Sequence, residues 1–355
     1  MPSATLGRMD DDLLTLRSPG DIATLVPHLV GFHPDESLVA VSLRPPRKRV
    51  GLVLRVDLTD DPAVVTQVVE HLLRDGPARA LLVVHSELPS GPDHPWAGLV
   101  TAVEGELAAH GVALDEALLV RADRWWSYRC AQPCCPASGT PLDRSTDAAQ
   151  RVAASAAYQG RSVLRSRADL VASITPVLPL GAAVVEQLQA GAGLELAARL
   201  EADPAAAHRR EVERWRAALL RWQERPGRPT PAEAAALVVA LHEIPVRDEV
   251  ASWGAERDDA LLALLVQVAQ CAVAPDDAPV CTVLAWIAYA RGEGALALVA
   301  AERALSTAPG YSAATLLLAA LDGVLPPERV REVLRGTAQE LRGRRAGRRA
   351  RRRAA

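Results

Sequence analysis

Strand-like apolar runs are confined to the first 145 or so residues of this 355-residue chain, and beyond them only helical periodicity remains. That asymmetry constrains the fold more than any other feature. It predicts an α/β N-terminal half, with a mixed, partly parallel sheet and covering helices, followed by an all-α helical half. The strand candidates are Ser37–Leu43, Val50–Leu58, the run ALLVV at 80–84 and Ala117–Val120. The run at 80–84 is continuously apolar, as in a strand buried on both faces. In Val50–Leu58 the apolar residues alternate with Gly51, Arg55 and Asp57, which predicts a hairpin partner with one solvated face. Helices intervene near 19–29, 62–75 and 95–110. The first is announced by Ser18, Pro19 and Asp21 in a capping-box arrangement.

Past residue 145, helical patterns cover about 145–160, 167–175, 182–200 and 204–224. Arg225–Pro229 reads as a linker, and Thr230 with Glu233 opens the next helix as a capping box. The expected division is therefore 10–143 as the α/β domain, 144–225 as a helical extension, 230–340 as a helical bundle and 341–355 as a disordered tail. Within the bundle, 278–311 has the pattern of a single tetratricopeptide-like hairpin, with Gly292 at its turn and Pro309 at its end.

Charge and composition narrow the partners. The net charge is −3, yet residues 341–355 hold eight arginines and no acid, leaving the remainder near −11. That tail is the chain's route to nucleic acid, through phosphate contacts. Without interleaved aromatics it reads first as a solvated, disordered segment. Lys48 is the one lysine, Phe32 the one phenylalanine, and asparagine is absent. This bias follows GC-rich codon usage and lowers the weight of any arginine count. The longest apolar runs, such as 260–266, are too short to span a bilayer, and the N-terminus has no signal-peptide pattern. A cytoplasmic protein without a membrane partner is expected. Five cysteines, Cys130, Cys134, Cys135, Cys271 and Cys281, point to thiols rather than a disulfide framework.

Three groups of residues carry candidate chemistry. The block Arg124–Cys130 places Trp126, Tyr128 and Cys130 on one side of an extended strand, with Trp125 on the other. This predicts a buried Trp125 and a ligand-facing Trp126, beside a thiol that Arg124 or Arg129 could activate. Cys130, Cys134 and Cys135 also admit a metal reading, although adjacent Cys134 and Cys135 share one ion poorly. No cofactor is expected. The second group lies at strand ends, where open α/β sheets bind ligands: Asp57, His85, Glu87, Arg121 and Asp123. Histidine beside carboxylates suits acid–base work. The third is the loop Gly31–Ser37, whose His33 and acids either line a pocket or serve the turn.

The segments LRSPGDIATLVPHLVGFHPDESLVAVSL, GLVLRVDL, RWWSYRCAQPCCPASGTPL and GALALVAAERALSTAPGYS occur in this order from about residue 13 to about 335. Together they resemble an uncharacterised family, a domain of unknown function common in actinobacteria. The resemblance implies no activity and no catalytic residues. Two readings of function follow. The first is a non-catalytic ligand-binding or scaffold protein, with an unidentified protein or small molecule as its partner. The second is a small-molecule enzyme using His85 and strand-end carboxylates, with Cys130 as a further group. They differ in whether His85, Glu87 and Arg121 meet in one cleft beside Cys130.

Overall fold

The computed structural model describes residues 3–5, 18–45, 48–90, 93–130, 132, 135–146, 149–151, 154, 163–256 and 259–354. It divides into two compact units. The first comprises residues 1–170, 292–295 and 320–324, and the second comprises 171–291, 296–319 and 325–355. The division falls near residue 170, later than the loss of strand signal near 145. Arg225–Pro229 lies inside the second unit rather than between domains.

In the first unit, seven strands among the described residues form one sheet. They are β1 (Ser3–Thr5), β2 (Ser37–Arg44), β3 (Arg49–Asp57), β4 (Arg79–His85), β5 (Ala113–Arg121), β6 (Arg124–Ser127) and β7 (Thr140–Pro141). The order across the sheet is β1-β3-β2-β4-β5-β6-β7. Only the β4–β5 pair is parallel; β2 runs antiparallel to both β3 and β4. The sheet is therefore mixed and partly parallel, as the pattern predicts. Leu82, Val83 and Val84 of β4 are fully buried, each contributing ~1.5–3 kcal/mol of transfer free energy.

Helix α1 (Pro19–Val30) begins in the expected capping box. The Ser18 hydroxyl accepts from the Asp21 amide at 3.2 Å, and the Asp21 carboxylate accepts from the Ser18 amide at 3.0 Å. Gly31 ends it at φ 86°, a left-handed conformation that glycine adopts without strain. A Cβ on Gly20 would lie 3.1 Å from Nε1 of Trp125, which puts α1 on the sheet face that Trp125 shares. On the opposite face lie α2 (Ala63–Arg74) and α3 (Ala97–Ala109). Tyr128 reaches that side, donating to the Pro95 carbonyl at 2.6 Å. With both faces covered, β3 has no solvated side. Gly51 and Arg55, expected to face water, are buried. α4 (Arg167–Ala172) closes this half of the chain.

The second unit is helical: α5 (Ala182–Ala202), α6 (Pro204–Glu224), α7 (Pro231–Ala240), α8 (Ile244–Trp253), α9 (Asp259–Ala269), α10 (Asp277–Ala290), α11 (Gly294–Thr307), α12 (Ser312–Asp322) and α13 (Pro327–Ala354). Trp215 of α6 is fully buried and donates to the Leu237 carbonyl of α7 at 3.1 Å. Arg303 ties α11 to its neighbours through Asp277 at 3.0 Å and the carbonyls of Ala269 and Ala272. Thr230 caps α7 by accepting from the Glu233 amide, while the Glu233 carboxylate pairs with Arg221 instead of completing the box. Helix α13 runs through the arginine segment to Ala354, and arginine and alanine are among the best helix formers. No helix among the described residues is long and apolar enough to cross a membrane.

Candidate functional site

The register of the sheet builds the site. Ser37, at the start of β2, is paired with Asp57 at the end of β3 and with His85 at the end of β4. His85 is in turn opposite Val120 near the end of β5. The carboxyl ends of three strands and the amino end of a fourth thus meet at one sheet edge. Register partners share a face, so Asp57, Ser37 and His85 stand on the side that α1 covers.

A cleft of about 650 Å³ opens at this edge. α1 contributes Pro27 and His28, and the following loop contributes His33 and Asp35. His85 to Glu87 and Arg121 to Asp123 supply the strand-end wall. Pro27 lacks an amide hydrogen, so the carbonyl of Ala23, another lining residue, loses its i+4 helical partner. The backbone of His33 donates to Leu164 and that of Leu164 to Gly31, both at 2.9 Å, placing Val163 on the rim.

Second contacts fix the wall. The Glu36 carboxylate accepts from the Ser86 hydroxyl at 2.9 Å and from the Glu87 amide at 2.7 Å. The Glu87 carboxylate accepts from the Ala122 amide at 3.3 Å. Ala122 and Asp123 both have positive φ, 45° and 57°, as a two-residue hairpin turn demands. Asp123 pairs with Arg144 at 2.6 Å, and Arg121 donates to the Leu88 carbonyl.

His85 is the buried centre of the arrangement. It is 7% exposed, and its Nε2 has no hydrogen-bond partner. Burial, then the charges of His33 and Arg55, lower its pKa to about 3, so the ring is neutral at physiological pH. His28 is shifted the same way by burial and by His33, and its Nδ1 is also unpartnered.

Of the residues singled out from sequence, His33, His85, Glu87, Arg121 and Asp123 meet in this cleft. Asp57 does not line it; its exposed carboxylate holds Arg55 at 2.6 Å. Cys130, half-buried, lies outside it, as do Trp126 and Tyr128. The strand alternation is as expected, with Trp126 and Tyr128 on one face, but the burial is reversed. Trp126 is 7% exposed and Trp125 only half-buried. Trp126 donates to the Ala137 carbonyl at 3.0 Å, lies 4.8 Å under the Arg121 guanidinium, and is covered by Gly139. It is a packing residue, and Tyr128, whose phenol pKa is raised by burial, is its neighbour. Trp126→Ala is accordingly expected to cost ~3–5 kcal/mol in denaturant unfolding, and Trp125→Ala clearly less. The reverse order would return Trp126 to the ligand surface.

Cys135 is half-buried, and Cys134 lies outside the described residues. Among the described residues no three His, Cys, Asp or Glu side chains are grouped to hold a metal ion. Cys281 is a core thiol, its pKa pushed up to about 12 by burial. Cys271 is only half-buried, its sulfur accepting from Arg228 at 3.4 Å. Sequence reasoning missed His28, whose signal was the proline–histidine pair inside α1.

A family model described as Domain of unknown function (DUF4192) matches residues 19–328. No curated protein and no solved structure matches the chain.

Proposed function

The chain belongs to the DUF4192 family, whose description assigns no activity, and from the cleft itself we propose that it binds a small polar molecule at the carboxyl ends of β4 and β5. The observation that carries this reading is His85, a buried imidazole with an unpartnered nitrogen in the wall of a strand-end cleft. A buried polar atom without a partner costs ~1–3 kcal/mol, and in an open α/β sheet such a position is where ligands bind. The neutral ring offers a hydrogen bond of fixed geometry. With a pKa of about 3 it is a poor proton carrier at neutral pH. That favours binding over acid–base catalysis by His85, and Cys130 is not among the residues lining the cleft.

Ligand-observed NMR with a library of polar fragments tests this. Fragments that bind the wild type are expected to lose their saturation-transfer signal with His85→Leu, a substitution of similar volume. A set of binders indifferent to His85→Leu would place ligand recognition elsewhere.

A further inference from the structure

The arginine segment of α13 does not line the cleft, and its residues are ordered by helical phase. α13 is 28 residues long, from Pro327 to Ala354, and no acid follows Glu340. At about 100° per residue, the eight arginine positions from Arg342 to Arg353 fall on one arc of about 200°. Gly343, Ala346, Gly347, Ala350 and Ala354 fill the remaining face, at the i, i+3, i+4, i+7, i+11 spacing of a helical stripe. No arginine position interrupts that stripe. GC-rich codon usage enriches arginine, glycine and alanine together, but it is blind to helical phase. It accounts for the composition and not for the segregation.

A role confined to the helix is too small an explanation. Cations at a helix C-terminus complement the macrodipole, yet that effect falls off within the last turn, and the arginines begin at Arg342. Like charges three and four residues apart, such as Arg345 with Arg348 and Arg349, destabilise a helix. A polyanion offsets that repulsion.

The segment's own residues choose among polyanions. A membrane-surface helix sets bulky apolar residues opposite its cations, whereas this stripe holds only glycine and alanine. Single-stranded nucleic acid is held by stacking on aromatic side chains, and residues 342–355 contain none. The major groove of an A-form duplex is too narrow for side chains to read. The major groove of B-form DNA, ~12 Å wide, admits a helix ~10–12 Å across. Its phosphate walls flank such a helix on both sides, which suits a broad arc better than a flat acidic surface would.

We propose that residues 342–354 of α13 dock double-stranded DNA, seated in the major groove with the arginine arc toward the phosphate walls and the glycine–alanine stripe outward. Phosphate contacts carry the affinity, so binding is largely independent of sequence. The remainder of the chain, near −11, repels phosphate and confines the contact to this segment.

Fluorescence anisotropy of the full chain with a short labelled DNA duplex of mixed sequence tests this. The log–log salt slope is expected at about −4 or steeper, at ~0.9 per phosphate, so affinity falls about 100-fold or more from 50 to 200 mM salt. A chain ending at Leu341 is expected to lose binding while its thermal melt shows it folded. Should it not fold, glutamine at the eight arginine positions of the full chain carries the same test. Arc and charge are separated by a variant of equal net charge, Arg345→Ala and Arg348→Ala with Ala346→Arg and Ala350→Arg, expected to bind at least ten-fold more weakly. Unchanged affinity in that variant would overturn the helical arc as the docking element. Binding retained without the arginines, or none at 50 mM salt, would overturn the proposal outright. Equal or tighter binding to duplex RNA, single-stranded DNA or phosphatidylserine vesicles at the same salt would overturn the assignment to duplex DNA.

Discussion

Gly51→Ala is expected to destabilise the first unit by about 3–5 kcal/mol, the sum of overpacking and disruption of a buried ion pair. Asp75, at the C-terminal end of α2, presents a carboxylate whose side chain is 4% exposed. Its Oδ2 accepts from the Ser42 hydroxyl, from the Leu52 amide at 2.9 Å and from Arg44 Nε at 3.2 Å. A Cβ on Gly51 would fall among these groups, within hard-sphere overlap of the Asp75 and Ser42 oxygens and 2.6 Å from Arg44 Nε. The requirement for glycine here is close approach rather than backbone conformation. The carboxylate cannot retreat, because it is what ties the end of α2 to β2 and β3. Gly105→Ala in α3 is the control. Nothing lies within 4 Å of the added methyl, and replacing an exposed mid-helix glycine is expected to stabilise by ~0.5–1 kcal/mol. Equal denaturation midpoints for Gly51→Ala and wild type would show that the Asp75 contacts do not hold this end of the sheet.

The same position shows where sequence reading reaches its limit. Alternation along β3 places Arg55 and Asp57 on one face, because a strand has a period of two whatever covers it, but a bulge opposite Ser42 turns Gly51 toward Asp75 on the other. It could not say that both faces are covered, since the covering helix α1 precedes the strand and is matched to it only in three dimensions. The reversal at Trp125 and Trp126 has the same origin. Their opposite orientations are local, but burial of Trp126 depends on Ala137 and Gly139 returning across it. His85, by contrast, was legible because a continuous apolar run fixes where β4 ends, and a polar residue at that end lies on the binding edge of an α/β sheet. His28 was not, because its helix position is set against the strand ends by packing that no spacing encodes. The division near residue 170 escaped for a further reason: strand signal stops at 145, while the backbone pairing of Leu164 with Gly31 and His33 carries the first unit further.

Acidification from pH 7 to pH 5 is expected to cost the wild type about 2 kcal/mol more stability than His85→Leu, from the linkage of one histidine. The sign follows from the direction of the shift. In the folded protein His85 titrates near 3, against 6.5 when unfolded. Between those values the unfolded chain holds the proton and the folded chain does not, so stability is full above 6.5 and is lost as pH falls toward 3. The slope approaches ~1.4 kcal/mol per pH unit in the middle of that window. His28, lowered by burial and by His33, adds in the same direction and remains in both proteins. At pH 7 His85→Leu is itself expected to be as stable as wild type or more so, because it removes an unpartnered buried nitrogen worth ~1–3 kcal/mol. Urea titrations at the two pH values measure both effects, and the His85 imidazole resonances, unchanged between pH 7 and pH 5, report the protonation state directly. Parallel pH dependence in the two proteins would mean that His85 is accessible to protons. A stabilising loss of His85 coupled to loss of ligand binding would identify the residue as one kept for recognition at the expense of the fold.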